Sequence, residues 1–148
     1  KKRELIIENE VKFCVIGDRS RFSSDLHQLI EEIEQITINN KKITFVVALN
    51  YGSHDEIKRT FHKLVIDFKD RWDQINEATI EAHLDTSDLP PVDMLIRTSG
   101  EKRVSNFLLW QIAYAELFFE ETLWPDFDKQ IFLELLKQYD ERQRRIGA

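Results

Sequence analysis

Ile43-Thr44-Phe45-Val46-Val47-Ala48-Leu49-Asn50-Tyr51-Gly52 is the stretch on which the reading of the chain turns. Through Leu49 it is apolar and rich in β-branched residues, and it does not alternate polar with apolar as a half-exposed strand would. Such a run predicts a strand buried on both faces, and Asn50-Tyr51-Gly52 closes it with turn chemistry. Upstream, residues 11–16 repeat the pattern and end on Gly17-Asp18. Between the two runs, Ser23 or Ser24 caps a helix to about residue 38, with Leu26, Leu29, Ile30, Ile33 and Ile36 on one face, and Asn39-Asn40 is a turn. Residues 4–10 read as the end of a preceding helix.

Downstream, Ser53 caps a helix to about residue 68 that carries Ile57, Phe61, Leu64, Val65 and Phe68. Asn76 starts a shorter helix containing Ile80 and Leu84. Pro90-Pro91 stiffens the approach to a third strand over 92–96. A polar loop from Arg97 to Arg103 follows, then a buried helix from Ser105 to about Ala115 and a short strand at 117–119. Trp124-Pro125 turns the chain, and Asp126 or Asp128 caps a last helix running into Arg142, Arg144 and Arg145. Apolar strands alternating with helices predict an α/β fold, a mostly parallel central sheet with helices on both faces. Ligands of such sheets sit beyond the strands' C-terminal ends. Three polar clusters fall there: 17–21, 50–55 and 97–105. No repeat or long linker divides the chain, so residues 1–148 are expected to form a single domain.

The composition narrows the function. The chain has 148 residues, 42% of them hydrophobic, and a net charge of −6. An acidic chain lacks the basic face that nucleic-acid binding needs. No apolar run approaches the roughly 20 residues of a membrane span. The single cysteine, Cys14, lies in the first strand and reads as a buried, reduced thiol, which favours the cytoplasm. The chain opens on Lys1-Lys2-Arg3-Glu4, in mid-helix pattern and without Met or a secretory signal, and so reads as the C-terminal part of a longer polypeptide.

The third cluster, Arg97-Thr98-Ser99-Gly100-Glu101-Lys102-Arg103-Val104-Ser105-Asn106, has the parts of a diphosphate site without a Walker loop. Arg97 and Arg103 can each grip phosphate oxygens with two donors, Gly100 allows close backbone approach, and Ser105 stands where a helix N-terminus would favour an anion. A loop of solvated arginines closed by an ordinary capping serine is the plainer reading. Glu116 interrupts an apolar run. It can hold Mg²⁺ beside a diphosphate, or it can pair with an arginine from the last helix. His27, His54, His62 and His83 are scattered and read as surface residues, while Trp110, Tyr114, Phe118 and Phe119 read as core.

Residues 94–101, then 103–111, 113–119 and 123–127 resemble the C-terminal signature of the cis-prenyltransferases of the undecaprenyl diphosphate synthase type. Ile16-Gly17-Asp18 and Ala48-Leu49-Asn50-Tyr51-Gly52 match two further blocks in the right order. The resemblance implies an isoprenyl transferase that condenses isopentenyl diphosphate with an allylic diphosphate such as farnesyl diphosphate. Its product would be a long-chain cis-polyprenyl diphosphate such as undecaprenyl diphosphate for cell-wall synthesis. It implies that Arg97, Arg103, Val104 (through its backbone) and Ser105 hold the isopentenyl diphosphate and that Glu116 helps coordinate Mg²⁺. Glu101, Asn50 and Asp55 are secondary candidates. The family often has His where Lys102 stands and Gly where Ser99 stands. Arg145-Ile146-Gly147 resembles the family's Arg-x-Gly motif, which reaches across a homodimer; a frayed basic helix end is the alternative. The family's Asp-Gly-Asn phosphate loop, with its catalytic aspartate, has no counterpart in residues 1–148, so no catalytic residue is assigned and the chain alone is expected to be inactive. The other reading within the family is a non-catalytic partner subunit. Those subunits typically lose the isopentenyl-site residues that this chain keeps.

Overall fold

The computed structural model describes residues 2–142. The chain divides into two compact units, one up to Asp88 and one from Leu89.

In the first unit, α1 (Lys2–Glu8) leads into β1 (Val11–Ile16), followed by α2 (Ser24–Thr37), β2 (Ile43–Ala48), α3 (Ser53–Phe68) and the short α4 (Glu77–Glu81). β1 and β2 pair in parallel, Val11 opposite Ile43 through Ile16 opposite Ala48. The α2 crossover makes that direction possible, since parallel neighbours need a long connection. Ser23 caps α2 through its side chain, and Asn76 caps α4 with a full capping box. The N-cap of α3 is Gly52, and Ser53 is its buried first residue. Leu84 is buried, though it lies past the end of α4. Val15, Ile16, Ile30, Leu64 and Leu84 form the apolar core of this unit.

Two expectations about burial change here. Ile43 and Phe45 are 60% and 54% exposed, because among the described residues β2 pairs with β1 alone and helices α1 and α2 pack on β1. On α3, Ile57, Phe61 and Val65 are exposed, and the helix buries the stripe Ser53, Glu56, Thr60 and Leu64.

In the second unit, β3 (Met94–Arg97) pairs in parallel with β4 (Glu116–Phe119), and α5 (Lys129–Glu141) follows, capped by the Asp128 side chain. Leu95, Phe118 and Leu135 are buried. The helix expected from Ser105 to Ala115 does not form; the segment is a series of turns. Ser105, Asn106 and Leu108 have φ of 47°, 62° and 49°, in the left-handed region that a right-handed helix cannot use. Tyr114, expected in the core, is 80% exposed, while Phe118 is 3% exposed. The fold class is α/β, and among the described residues every strand pairing is parallel, in two two-stranded sheets. No helix among the described residues is long and apolar enough to cross a membrane.

Candidate functional site

The polar clusters do follow the C-terminal ends of β1, β2 and β3. In the first unit the first two are latched together. The Asp18 N–H donates to the Asn50 carbonyl at 3.2 Å, and Asn50 Nδ2 donates to the Asp18 carbonyl at 2.9 Å. Asn50 reaches this geometry at φ 48°, a conformation asparagine tolerates better than most residues. Gly17 is required beside it. Its φ is 113°, and a Cβ there would lie 2.1 Å from the Leu49 carbonyl oxygen.

Asp85, which lies outside all three clusters, organises this end of the unit. It accepts from the Gly17 N–H at 3.1 Å and from both Arg59 Nη atoms at 2.7 Å. Arg59 Nε in turn donates to Asp55 at 2.9 Å, and Lys58 reaches the other Asp55 oxygen at 2.5 Å. Burial pushes the Asp85 carboxyl up, but the Arg59 hydrogen bonds and charge, with the Gly17 N–H, outweigh it and hold the group below the usual carboxylate range. Asp55 is also held low, by its hydrogen bonds to Lys58 and Arg59. Glu56 is fully buried, accepting from Tyr51 Oη at 2.5 Å and from the Asp85 N–H at 2.9 Å. Burial, then the adjoining Glu56 carboxylate, push the Tyr51 phenol upward. Asn50 and Asp55, secondary candidates from the sequence, are thus tied into a network of hydrogen bonds to other protein groups. Arg59, Glu56 and Asp85 escaped the sequence reading. The one available signal was that Glu56 sits three residues after Ser53 and four before Thr60, on a single helical stripe.

His54 and His62 are exposed as expected. His27 and His83 are half-buried instead, His27 Nε2 lying 2.8 Å from the Arg19 carbonyl and His83 between the Thr79 carbonyl at 2.7 Å and Asp67 at 3.0 Å. Cys14, expected to be buried, is half-buried, and that partial burial raises its thiol above its ordinary value.

In the second unit the loop leaving β3 is stapled to the chain leaving β4. Glu120 N–H donates to the Arg97 carbonyl at 2.8 Å, Gly100 N–H to the Glu120 carbonyl at 2.9 Å, and Ser99 N–H to the Thr122 carbonyl at 2.9 Å. Ser99 and Gly100 adopt φ of 70° and 68° to make this turn. Arg97 is half-buried, and its Nε is buried without a hydrogen-bond partner. A buried N–H of a guanidinium left unpaired is costly, and an anion is the natural acceptor. Arg103 is exposed and ion-paired with Glu101. Val104 is half-buried, its carbonyl accepting from the Phe107 N–H at 3.0 Å, and Ser105 and Lys102 are exposed. Ser105 caps no helix, so the helix-dipole contribution expected there is absent, and the loop offers guanidinium, hydroxyl and backbone groups instead.

Glu116 opens β4. It stands opposite Met94 in the register, whereas Arg97 stands opposite Phe119 at the other end, so the two are about 10 Å apart along the pair and on opposite faces. The strand register does not by itself bring Glu116 to Arg97. What it brings to Glu116 is Arg142, the C-cap residue of α5, whose Nη1 donates to Glu116 Oε2 at 2.6 Å. The pairing with an arginine of the last helix, one of the two sequence readings, is therefore present. Among the described residues no group of three or more His, Cys, Asp or Glu side chains could hold a metal. Mg²⁺ commonly takes only one or two carboxylates and completes its shell with phosphate oxygens and water, so Glu116 fits as a partial donor set once its oxygen is released by Arg142. Arg145 and Gly147 lie outside the described residues.

Comparison with known proteins gives a consistent result. The family model described as "Putative undecaprenyl diphosphate synthase" matches residues 1–147. An isoprenyl transferase of Agrobacterium fabrum is 48% identical over 98% of this chain and 60% of its own length. A ditrans,polycis-undecaprenyl-diphosphate synthase of Haemophilus ducreyi, (2E,6E)-farnesyl-diphosphate specific, is 46% identical over 95% of this chain and 60% of its own. The chain thus spans about 60% of the length of these relatives. Among solved structures, lavandulyl diphosphate synthase from Lavandula x intermedia, in complex with dimethylallyl diphosphate, superposes with a TM-score of 0.93 at 36% identity, covering 99% of this chain and 64% of that one. A probable undecaprenyl diphosphate synthase from Campylobacter jejuni gives a TM-score of 0.86 at 36% identity, covering 99% of this chain and 67% of that one. With parallel α/β units, an arginine-bearing loop at the end of β3 and matches of this extent, the chain belongs to the undecaprenyl diphosphate synthase family of cis-prenyltransferases.

Proposed function

We propose that this chain supplies the isopentenyl diphosphate side of an isoprenyl transferase that extends an allylic diphosphate into a long-chain cis-polyprenyl diphosphate. The observation that carries the reading is the buried, unpartnered Nε of Arg97 at the mouth of a loop pinned by three backbone hydrogen bonds. A pre-placed guanidinium donor of this kind binds a diphosphate with little reorganisation. Arg103 joins it by exchanging its exposed partner Glu101 for phosphate, and the Val104 backbone and Ser105 hydroxyl complete the grip. In this reading the substrates are isopentenyl diphosphate and, by likeness to the Haemophilus ducreyi relative, farnesyl diphosphate. The product class is the undecaprenyl carrier of cell-wall synthesis, made in the cytoplasm.

Mg²⁺ belongs to the same reading. Glu116 would hold it, and the ion would neutralise the charge of the diphosphate groups. The active form is a homodimer to which Arg145 and Gly147 contribute, and residues 1–148 are the C-terminal portion of one catalytic domain. Since the relatives are longer, the allylic diphosphate loop is assigned to sequence outside these residues, and the chain alone does not elongate farnesyl diphosphate. Retention of Arg97, Arg103, Ser105 and Glu116 favours this enzyme over a non-catalytic partner subunit.

The test is isopentenyl diphosphate binding by the intact protein carrying Arg97→Ala. Loss of charge-assisted hydrogen bonds is expected to weaken binding by about 10- to 100-fold, with farnesyl diphosphate affinity unchanged. Equal isopentenyl diphosphate affinity in variant and wild type would refute the assignment.

A further inference from the structure

Arg142 is held more firmly than an ordinary helix-end arginine. Nη1 donates to Glu116 Oε2 at 2.6 Å and to the Leu117 carbonyl at 3.2 Å, and its guanidinium carbon lies 3.7 Å from the centroid of the Phe118 ring. Three consecutive residues of β4 thus contribute a carboxylate, a carbonyl and an aromatic face to one cation. Phe118 is itself buried, so the stacking platform is fixed. The residue's own N–H closes α5 on the Tyr139 carbonyl at 3.1 Å, which anchors the main chain behind the side chain.

We propose that Arg142 is the resident counter-ion of Glu116 and that a divalent cation competes with it for that carboxylate. Metal binding at Glu116 displaces the guanidinium and loosens the α5 end from β4, so that Arg142 is a positioning residue that sets how tightly the metal is held. The inference rests on the reading of Glu116 as a Mg²⁺ carboxylate. It follows from charge and space. A divalent ion bonds a carboxylate oxygen at about 2.1 Å, and a guanidinium already hydrogen-bonded to the same group both screens the carboxylate's charge and repels the incoming cation. Leaving is feasible because Arg142 and Glu116 are 38% and 25% exposed, so water can solvate the released groups. The stacked ring and the Leu117 carbonyl remain as a place for the guanidinium to return to.

The experiment uses Mn²⁺ as the probe, with free ion counted by electron paramagnetic resonance, on the intact protein saturated with isopentenyl diphosphate. Arg142→Gln is expected to bind Mn²⁺ about three- to tenfold more tightly, the range set by the loss of a part-exposed, stacked ion pair. Glu116→Gln is expected to bind it more weakly, and the double variant to match Glu116→Gln, since the competitor has nothing left to compete for. Unchanged or weaker Mn²⁺ binding in Arg142→Gln, with Glu116→Gln impaired, overturns the competition and leaves the metal role of Glu116 standing. Unchanged binding in Glu116→Gln overturns that metal role, and the competition with it. Arg142→Lys keeps the charge but loses the flat stacking, and its affinity is expected between wild type and Arg142→Gln. Should the glutamine variant fail to fold, Arg142→Lys is read against wild type alone: tighter Mn²⁺ binding is expected, and equal or weaker binding overturns the competition. Simple destabilisation would not tighten metal binding.

Discussion

Replacing Arg59 by methionine isolates the ion pair that ties α3 to Asp85, and through Asp85 to the end of β1. The substitution keeps an alkyl stem and removes the guanidinium. Asp85, with a side-chain exposure of 12%, then loses two hydrogen bonds of 2.7 Å and keeps the Gly17 N–H as its remaining donor among those described. Stranding one member of a buried pair costs about 3–5 kcal/mol. The Arg59 side chain is 24% exposed, so water reaches the cavity edge and the expected loss is nearer about 2–3 kcal/mol after that screening. Asp85→Asn added to Arg59→Met removes the stranded charge while keeping an acceptor for Gly17, and should restore about 1 kcal/mol relative to Arg59→Met alone. The assay is urea unfolding of the intact protein, comparing midpoints at matched slopes, with hydrogen exchange at the Gly17 amide as a local reporter. An Arg59→Met midpoint within about 0.5 kcal/mol of wild type, the range of an indifferent surface change, would refute the reasoning. So would strict additivity in the double variant.

Further outcomes follow from the same geometry. Gly17→Ala places a Cβ 2.1 Å from the Leu49 carbonyl at φ 113°, and should lower stability by more than about 3 kcal/mol, read as a fall in Tm. Asp85 and Asp55 have folded-state values below their unfolded ones, so the stability they contribute is present above about pH 4 and is lost as pH falls through the lowered values; urea midpoints measured downward from neutral pH should show this acid limb, flattened in Arg59→Met. Cys14, whose thiol is raised by burial, should alkylate with iodoacetamide at mildly alkaline pH more slowly than free cysteine and reach the free rate in urea. Glu56→Ala takes one acceptor from the Tyr51 hydroxyl and leaves the Asp85 N–H without its carboxylate, and should cost about 1–3 kcal/mol in the urea assay.

The strands of this protein are legible because their apolar runs end abruptly on turn residues; β1 begins and ends at the residues its pattern predicts, and β2 ends one residue early. Caps were legible where a side chain does the capping, as at Ser23, Asn76 and Asp128. The segment after Ser105 was not legible. Its apolar residues mimic a buried helix, and what prevents one is left-handed backbone at Ser105, Asn106 and Leu108, none of which is glycine. Nothing in side-chain type announces a conformation imposed by surrounding packing. The inward face of α3 is hidden for a related reason: its large apolar residues dominate the pattern, while the unit buries the smaller and polar stripe and supplies partners from Tyr51, just before the helix, and from Asp85, far beyond it. For the site, the loop and its arginines could be found from the residue types. The difference between a half-buried Arg97 and an exposed Arg103, and the capture of Glu116 by Arg142, depend on pairings across at least 20 residues of chain for the first and 26 for the second.

The buried glutamate of α3 has a consequence for how faithfully the first unit assembles. A greasy interface accepts neighbouring registers at small cost, because one methyl group substitutes well for another. Glu56 does not permit that latitude. One residue of slip would turn its carboxylate about 100° around the helix, away from both the Tyr51 hydroxyl and the Asp85 amide, which lie on opposite sides of it in the sequence. The polar stripe of α3 therefore works as an index mark, making the correct alignment of helix, strand end and following loop the one in which every group finds its match.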